Sequence, residues 1–341
     1  MDFEAFLKQI QSWTNSVPLV ILGSGASVPF NIPSMYALGE HLKNSISFSD
    51  KDDQVQFESF KDTFDKNKDL ESTLLILQLR DAVLRAIICE TWKLINKKDI
   101  ELYERLLQNS IDLPLSHLIT HCLGTTRQKL SIITTNYDRL AEYASALASA
   151  FICNGYAQSF RGCFSESIHN NDFSKTKGYS GQVNIWKVHG SLDWFSYKDG
   201  EEFNLPLRQS IPDNYTPSLV TPGISKYFKT HLEPYRTIFA EADSEIKNAT
   251  SFLCIGYGFN DDHVQEKLIE QIKNKKPIIV ITRQLTPNAK KAIIDNQCKQ
   301  YILIEQANTN DTRIYSSSFA GEEIINDQSY WSLNEYMKLI K

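Results

Sequence analysis

Apolar residues fall along this chain in two alternating patterns. Short, mostly apolar runs occur at Leu19–Leu22, Leu130–Thr134, Val183–Ser191 (ending in polar residues), Ser251–Ile255, Pro277–Ile281 and Tyr301–Ile304. Runs of this length bounded by turn residues predict strands buried on both faces. Between them apolar positions recur at helical spacing, as at Phe3, Phe6, Leu7 and Ile10. The same spacing predicts helices over 70–95 (Leu74, Leu77, Val83, Leu84, Ile87, Ile88, Leu94), 100–107, 115–123, 139–150, 237–248, 264–274 and 287–295. Strands that alternate with helices predict an α/β fold, a Rossmann-like, doubly wound parallel sheet.

Two stretches break the alternation. Residues 49–124 carry helical spacing without a strand, and are expected to form a helical insertion. The nucleotide-binding body would then comprise 1–48 and 125–341, with irregular excursions near 155–181 and 196–235, where Gly, Pro, Asn and Ser gather. The ends, 1–16 and 305–341, are expected to lie outside the sheet and to offer contact surfaces, as is the insertion.

Four of the predicted strands end in polar or glycine-rich tips: Gly23–Ser27, Thr134–Asp138, His189–Ser191 and Gly256–Asp262. Ligands of such sheets sit at the carboxyl ends of the strands, so these tips are expected to meet in one crevice. Gly23-Ser24-Gly25-Ala26-Ser27 follows a strand and precedes helical spacing, a layout that presents backbone N–H groups to a phosphate. Gly23 and Gly25 are expected to allow positive φ and close approach of a ligand where a Cβ would collide. Asn136 suits ribose hydroxyls or a water, or else caps the next helix. Asp138 either lines the crevice or is a first-turn acid. His189, at a strand end before Gly190, suits proton transfer near neutrality. Asp262 and His263 stand where a helix start would use them as caps. Arg283, after a strand, either meets an adenosine or is a solvated charge.

Composition narrows the picture. With 341 residues, 42% hydrophobic and 23% charged, the chain can bury a sizeable core. A net charge of −5 gives no support to a broad nucleic-acid surface. The cysteines (Cys89, Cys122, Cys153, Cys163, Cys254, Cys298) form no Cys-x-x-Cys pair, so neither a zinc ribbon nor a disulfide framework is expected. No apolar run is long enough to span a membrane, the acidic start lacks the layout of a signal peptide, and a cytoplasmic location is expected. A dehydrogenase-type fold needs a second strand ending in an acid about 20 residues past the glycines; 48–69 supplies none.

The ordered motifs Gly23–Ser27 with Ile32-Pro33, Thr134-Thr135-Asn136-Tyr137-Asp138 and Lys187-Val188-His189-Gly190-Ser191 resemble those of the sirtuin-like superfamily. The turn Gly256-Tyr257-Gly258-Phe259-Asn260-Asp261-Asp262-His263 is similar to its divergent prokaryotic branch in antiphage defence. The chain departs from protein-deacetylating sirtuins in lacking their four-cysteine zinc module and in having Thr135 where those usually have Gln. The resemblance implies an NAD+ glycohydrolase, releasing nicotinamide and ADP-ribose, with Asn136 and His189 catalytic. Gly23, Ser24, Gly25, Ala26 and Ser27 would hold the pyrophosphate and Asp138 the nicotinamide side; Gly256, Gly258, Asn260 and Arg283 are expected, from their places at strand ends, as further cofactor contacts. It further implies NAD+ as substrate without a metal, a homo-oligomer, and a partner such as a HerA-type ATPase. A non-catalytic sensor of NAD+ or an ADP-ribose derivative, and a protein deacylase, are the alternatives.

Overall fold

A computed structural model describes residues 2–340 except 158–159, 199 and 222–231, with only the backbone of 169, 170, 262 and 263. Helix α1 (Phe3–Asn15) starts at Asp2, whose carboxylate accepts the Glu4 and Ala5 N–H groups at 3.1 Å. Strand β1 (Leu19–Leu22), two 3-10 turns (Ser24–Ala26, Val28–Phe30) and α2 (Met35–Ser45) follow. Next come α3 (Lys51–Asn67), α4 (Leu70–Ile76), α5 (Asp81–Leu107) and α6 (Pro114–Leu123). The middle of the chain holds β2 (Lys129–Thr134), α7 (Leu140–Leu147), β3 (Phe151–Cys153), β4 (Gly162–Cys163) and α8 (Glu166–Asn170). Then come β5 (Gln182–Lys187), β6 (Gly190–Tyr197), β7 (Glu202–Asn204) and β8 (Tyr215–Leu219). The last third carries α9 (Tyr235–Asn248), β9 (Phe252–Ile255), α10 (Asp262–Lys273), β10 (Ile278–Ile281) and α11 (Pro287–Lys290), which runs into a π-turn at Lys291–Asp295. Strands β11 (Tyr301–Gln306), β12 (Thr312–Ser316) and β13 (Glu323–Ile325) and helix α12 (Leu333–Tyr336) complete the described elements.

The larger sheet has the order β13-β12-β11-β10-β9-β1-β2-β5-β3. From β11 to β3 every pairing is parallel, and β12 and β13 add antiparallel at one edge. Strand β1 stands where the strand order reverses, with β2 on one side and β9 on the other. Helices cover both faces, as doubly wound sheets require. One core gathers α1–α7 and the C-terminal segment; the other gathers α9–α11. The fully buried β1, β9 and β10 are the unbroken apolar runs of the sequence. No helix among the described residues is long and apolar enough to cross a membrane.

The structure departs from the sequence pattern in four places. The helix expected over 70–95 breaks after Ile76. Leu77 is extended, the Arg80 N–H donates to the Gln56 side chain at 2.6 Å, and the Arg80 guanidinium lies 2.9 Å from Asp53. Helix α5 then runs unbroken to Leu107, because buried Asn96 and Asp99, which interrupt its apolar stripe, are bonded to Arg139 of the next β-α connection. Residues 51–67, where no strand pattern occurs, are helical as the expected insertion requires, and they bury Phe57, Phe60 and Phe64, spaced three and four apart.

The run 183–191 is not one strand. Strand β5 ends at Lys187, and β6 begins at Gly190 in a separate antiparallel sheet of order β4-β7-β6-β8. Its strands β4, β7 and β8 fall within the two stretches expected to be irregular. Lastly, 305–341 is not outside the sheet: β12 and β13 extend it, and Tyr336, Met337, Leu339 and Ile340 are buried. The Tyr336 hydroxyl lies 2.9 Å from that of Thr14 on α1, so both chain ends are locked into one core.

Candidate active site

The tips of β9, β1, β2 and β5 lie side by side in the sheet, at the point where strand order reverses. The turn after β1 departs from expectation. Gly23 has φ −107 and ψ 179, ordinary extended backbone, and Gly25 is not left-handed either. The left-handed residue is Gly256, with φ +57. A Cβ on Gly23 would lie 2.5 Å from the Gly256 oxygen, and one on Gly256 would lie 2.2 Å from Ala26 N. The glycines are therefore required where two backbone turns interlock, since any side chain would collide with main chain.

The turn itself closes as a 3-10 turn, and a second one (Val28–Phe30) separates it from α2, so no α-helix N-terminus opens directly behind it. The N–H groups of Gly23, Gly25, Ala26 and Ser27 donate to Ile255, Gly256, Gly23 and Ser24 carbonyls at 3.0–3.1 Å. Of the five N–H groups expected to face a pyrophosphate, only that of Ser24 is left without a partner among the described residues.

Asn136 does not cap a helix. Its amide N–H₂ donates to Gly23 O at 2.9 Å and to Ser27 Oγ at 3.1 Å, leaving Oδ1 without a partner among the described residues. Ser27 Oγ in turn donates to Asp138 Oδ2 at 2.8 Å, and Asp138 Oδ1 accepts the Leu140 N–H at the start of α7. Asp138 thus ties the glycine turn to β2 and also supplies the helix start. Burial pushes its carboxyl up, against the opposing pull of Lys187 and the Ser27 hydroxyl.

His189 occupies the corner between the two sheets. Gly190 turns the chain with φ +87, and a Cβ there would lie 2.0 Å from Ser218 O. The His189 carbonyl accepts Val220 N–H, which pins the corner to the strand end of β8. The imidazole Nε2 lies 2.7 Å from Asp261 Oδ2, with the side chains 10% and 5% exposed. The contact is an ion-pair approach set off the axis of a well-aligned hydrogen bond, and Nε2 is otherwise buried. Asp261 is itself fixed, because its Oδ1 caps α10 through the Val264 N–H at 3.1 Å.

Beneath the site, wholly buried Lys187 donates through Nζ to the Asp138 carbonyl and lies 3.3 Å from Glu142. Burial pushes the Glu142 carboxyl up to about 7, opposed by Lys187. One turn away, Arg139 and Asp99 pair at 2.6 Å.

Two cavities flank the glycine turn. The smaller, about 130 Å³, is lined by Asn136, His189, Asp138, Gly23, Ser24, Ser27, Gly258 and Asn260 of the expected residues. The larger, about 830 Å³ and mostly apolar, takes Gly25, Ala26, Gly256 and Arg283. Among the described residues Arg283 is the one cationic side chain lining it, with its Nε on Gln306 Oε1 at 3.1 Å. Every expected site residue lines one cavity or the other. Asp262 and His263 have side chains outside the described residues; the cap expected of them is made by Asp261.

Asp261 and Glu71, which also line the smaller cavity, are not singled out by sequence reasoning. For Asp261 a signal existed, as the acid directly before an amphipathic helix. Glu71 comes from α4 and carries none. No group of three or more His, Cys, Asp or Glu among the described residues is placed to hold a metal ion.

A family model described as a SIR2-like domain matches residues 130–308, more than half of the chain. The chain belongs to the SIR2-like family. The matched region of this SIR2-like protein holds the Asn136, His189 and Asp261 tips, and the glycine turn precedes it. Solved structures that it is similar to include a Sir2 homologue in complex with NAD, at 15% identity and TM-score 0.43 over 89% of this chain and 88% of that one. Another is a sirtuin studied for its substrate affinity, at 13% identity and TM-score 0.46 over 88% and 93%. A third is a Sir2 homologue variant in complex with 2′-O-acetyl ADP-ribose, at 17% identity and TM-score 0.42 over 85% and 88%. No curated protein matches the chain in sequence.

Proposed function

We propose that this SIR2-like protein is an NAD+ glycohydrolase, with the nicotinamide riboside half of its substrate in the smaller cavity and the ADP half in the larger. The observation that carries this reading is the arrangement of Asn136 Oδ1 and the His189 ring on one small cavity, joined by a glycine turn to a larger apolar one. In the reaction the C1′–N bond of the nicotinamide ribose breaks and its electron pair neutralises the pyridinium nitrogen. The leaving group therefore needs no general acid. Positive charge develops at C1′ as in other glycosyl transfers. Asn136 Oδ1 accepts from a ribose hydroxyl or the incoming water. The water oxygen bonds to C1′, and its proton passes to His189 as general base, a contribution of about 10²–10⁴-fold.

Ser24, with its free N–H, and Arg283 are the groups left to meet phosphate or adenosine oxygens. The likeness of the 256–263 turn to the defence branch extends the proposal to NAD+ depletion during phage infection. The acting form would be a cytoplasmic homo-oligomer with a partner such as a HerA-type ATPase.

The test is release of free nicotinamide from NAD+ by the purified chain. The account predicts turnover by the wild-type protein, and none above background for His189→Ala or Asn136→Ala proteins with native circular dichroism. Full cleavage by both variants would refute the assignment. Binding of NAD+ with no release under any condition would make the protein a sensor, and release only with an acyl-lysine peptide would make it a deacylase.

A further inference from the structure

We propose that Asp261 is the positioning residue for His189: it holds the Nε2 edge of the imidazole, keeps the ring proton there, and leaves Nδ1 for the substrate. The inference rests on the glycohydrolase reading for its catalytic consequence, but the geometry is independent of it. Asp261 Oδ2 lies 2.7 Å from His189 Nε2, while Nδ1 has no partner among the described residues. The carboxylate cannot swing freely, because Oδ1 is held by the Val264 N–H at the start of α10. The turn after β9 thus reaches across the tips of β1 and β2 to the corner after β5 and fixes the ring from the far side of the crevice.

Other titratable groups line the same cavity: Glu71 from α4, Tyr137 and Asp138 from the β2 tip, and Tyr257 from the β9 tip. Lys187 and Glu142 lie beneath, at the end of β5 and on α7. Among the described residues Asp261 alone stands at ion-pair distance from the ring. A neutral imidazole with a carboxylate on one nitrogen carries its proton on that side, and the other nitrogen becomes the acceptor. A base needs that acceptor turned toward its substrate, and a carboxylate partner that fixes the tautomer is worth several orders of magnitude in turnover elsewhere.

Asp261→Asn separates this role from that of a helix cap. Asparagine is an equally good N-cap, so its single oxygen stays on the Val264 N–H. The amide N–H₂ then faces Nε2, which must accept, and the ring proton moves to Nδ1. For nicotinamide release from NAD+, kcat is expected to fall by at least ~100-fold with KM within about threefold of wild type. Nitrogen-15 spectra of the His189 ring at about pH 9, above the ordinary imidazole range, should show the proton on Nε2 in the wild type and on Nδ1 in the variant.

Unchanged kcat in a folded Asp261→Asn protein, or the same tautomer in both proteins, overturns the inference. Should the Asn variant not fold, Asp261→Ser keeps a capping hydroxyl without the carboxylate. A folded Ser protein with depressed kcat supports the role, and one with wild-type kcat rejects it. If wild type releases no nicotinamide at all, the glycohydrolase reading fails, and the ring spectra alone decide the role of Asp261.

Discussion

At Gly256 the backbone has φ +57 and the space for a side chain is filled by Ala26 N at 2.2 Å. Gly256→Ala must therefore strain its own backbone and push the β1 turn away. The expected loss is about 1–3 kcal/mol in denaturant unfolding, with the Asn136–Gly23 bond weakened as the turn shifts. The glycine turn was legible in the sequence, but its reason was not: Gly23 and Gly25 serve another turn of the chain, which no local pattern names. Asn136 shows the same limit. Its residue type pointed to a polar task, yet only the fold shows that its donors are committed to Gly23 and Ser27 while its acceptor has no partner among the described residues. Ser27→Ala removes a donor from buried Asp138 and an acceptor from Asn136. A loss of about 1–3 kcal/mol by thermal unfolding is expected, because both groups are left short of a partner.

Elements buried on both faces were the easiest to read, because β1, β9 and β10 need apolar residues at every position. Strands β7 and β8 are short, antiparallel and set near Pro206, Pro212 and Pro217, so their pattern resembles that of loops, whereas β6, eight residues long, begins inside the run that reads as a continuation of β5. The corner at His189–Gly190 is the most consequential departure, because it divides the 183–191 run between two sheets and sets the ring at the crevice. Packing of α7 on β5 carries a prediction of its own. The Glu142 carboxyl, ordinarily near 4.5, is raised to about 7 by burial, despite Lys187 at 3.3 Å. A raised carboxyl contributes no penalty below its unfolded value, and stability falls as pH rises from about 4.5 through about 7. Glu142→Gln removes that dependence. Relative to wild type, the variant should therefore gain stability between pH 5 and pH 8, by at most about 3 kcal/mol, in urea titrations at the two pH values. An unchanged difference would mean that Lys187 keeps Glu142 ionised throughout.

Across the whole molecule, the sheet is a platform with a separate core on each face, and the crevice lies along the strand ends between them. The C-terminal segment belongs to that platform. Tyr336 is fully buried in the core it shares with α1, so Tyr336→Ala should cost about 3–5 kcal/mol by denaturant unfolding. The fold class and the four converging tips could be inferred from alternation alone. The pairing of Asp261 with His189 could not, because the two belong to strands separated in the sheet by β1 and β2, and no spacing in the sequence reports a contact across them. The central claim is that one dinucleotide bridges two cavities over the glycine turn. A crystal structure of the His189→Ala protein with intact NAD+ tests it most directly. The account predicts the nicotinamide ribose beside Asn136 Oδ1 in the smaller cavity, with the adenosine in the larger one toward Arg283. A dinucleotide bound in the reverse direction, or away from the β9-β1-β2-β5 tips, would contradict it.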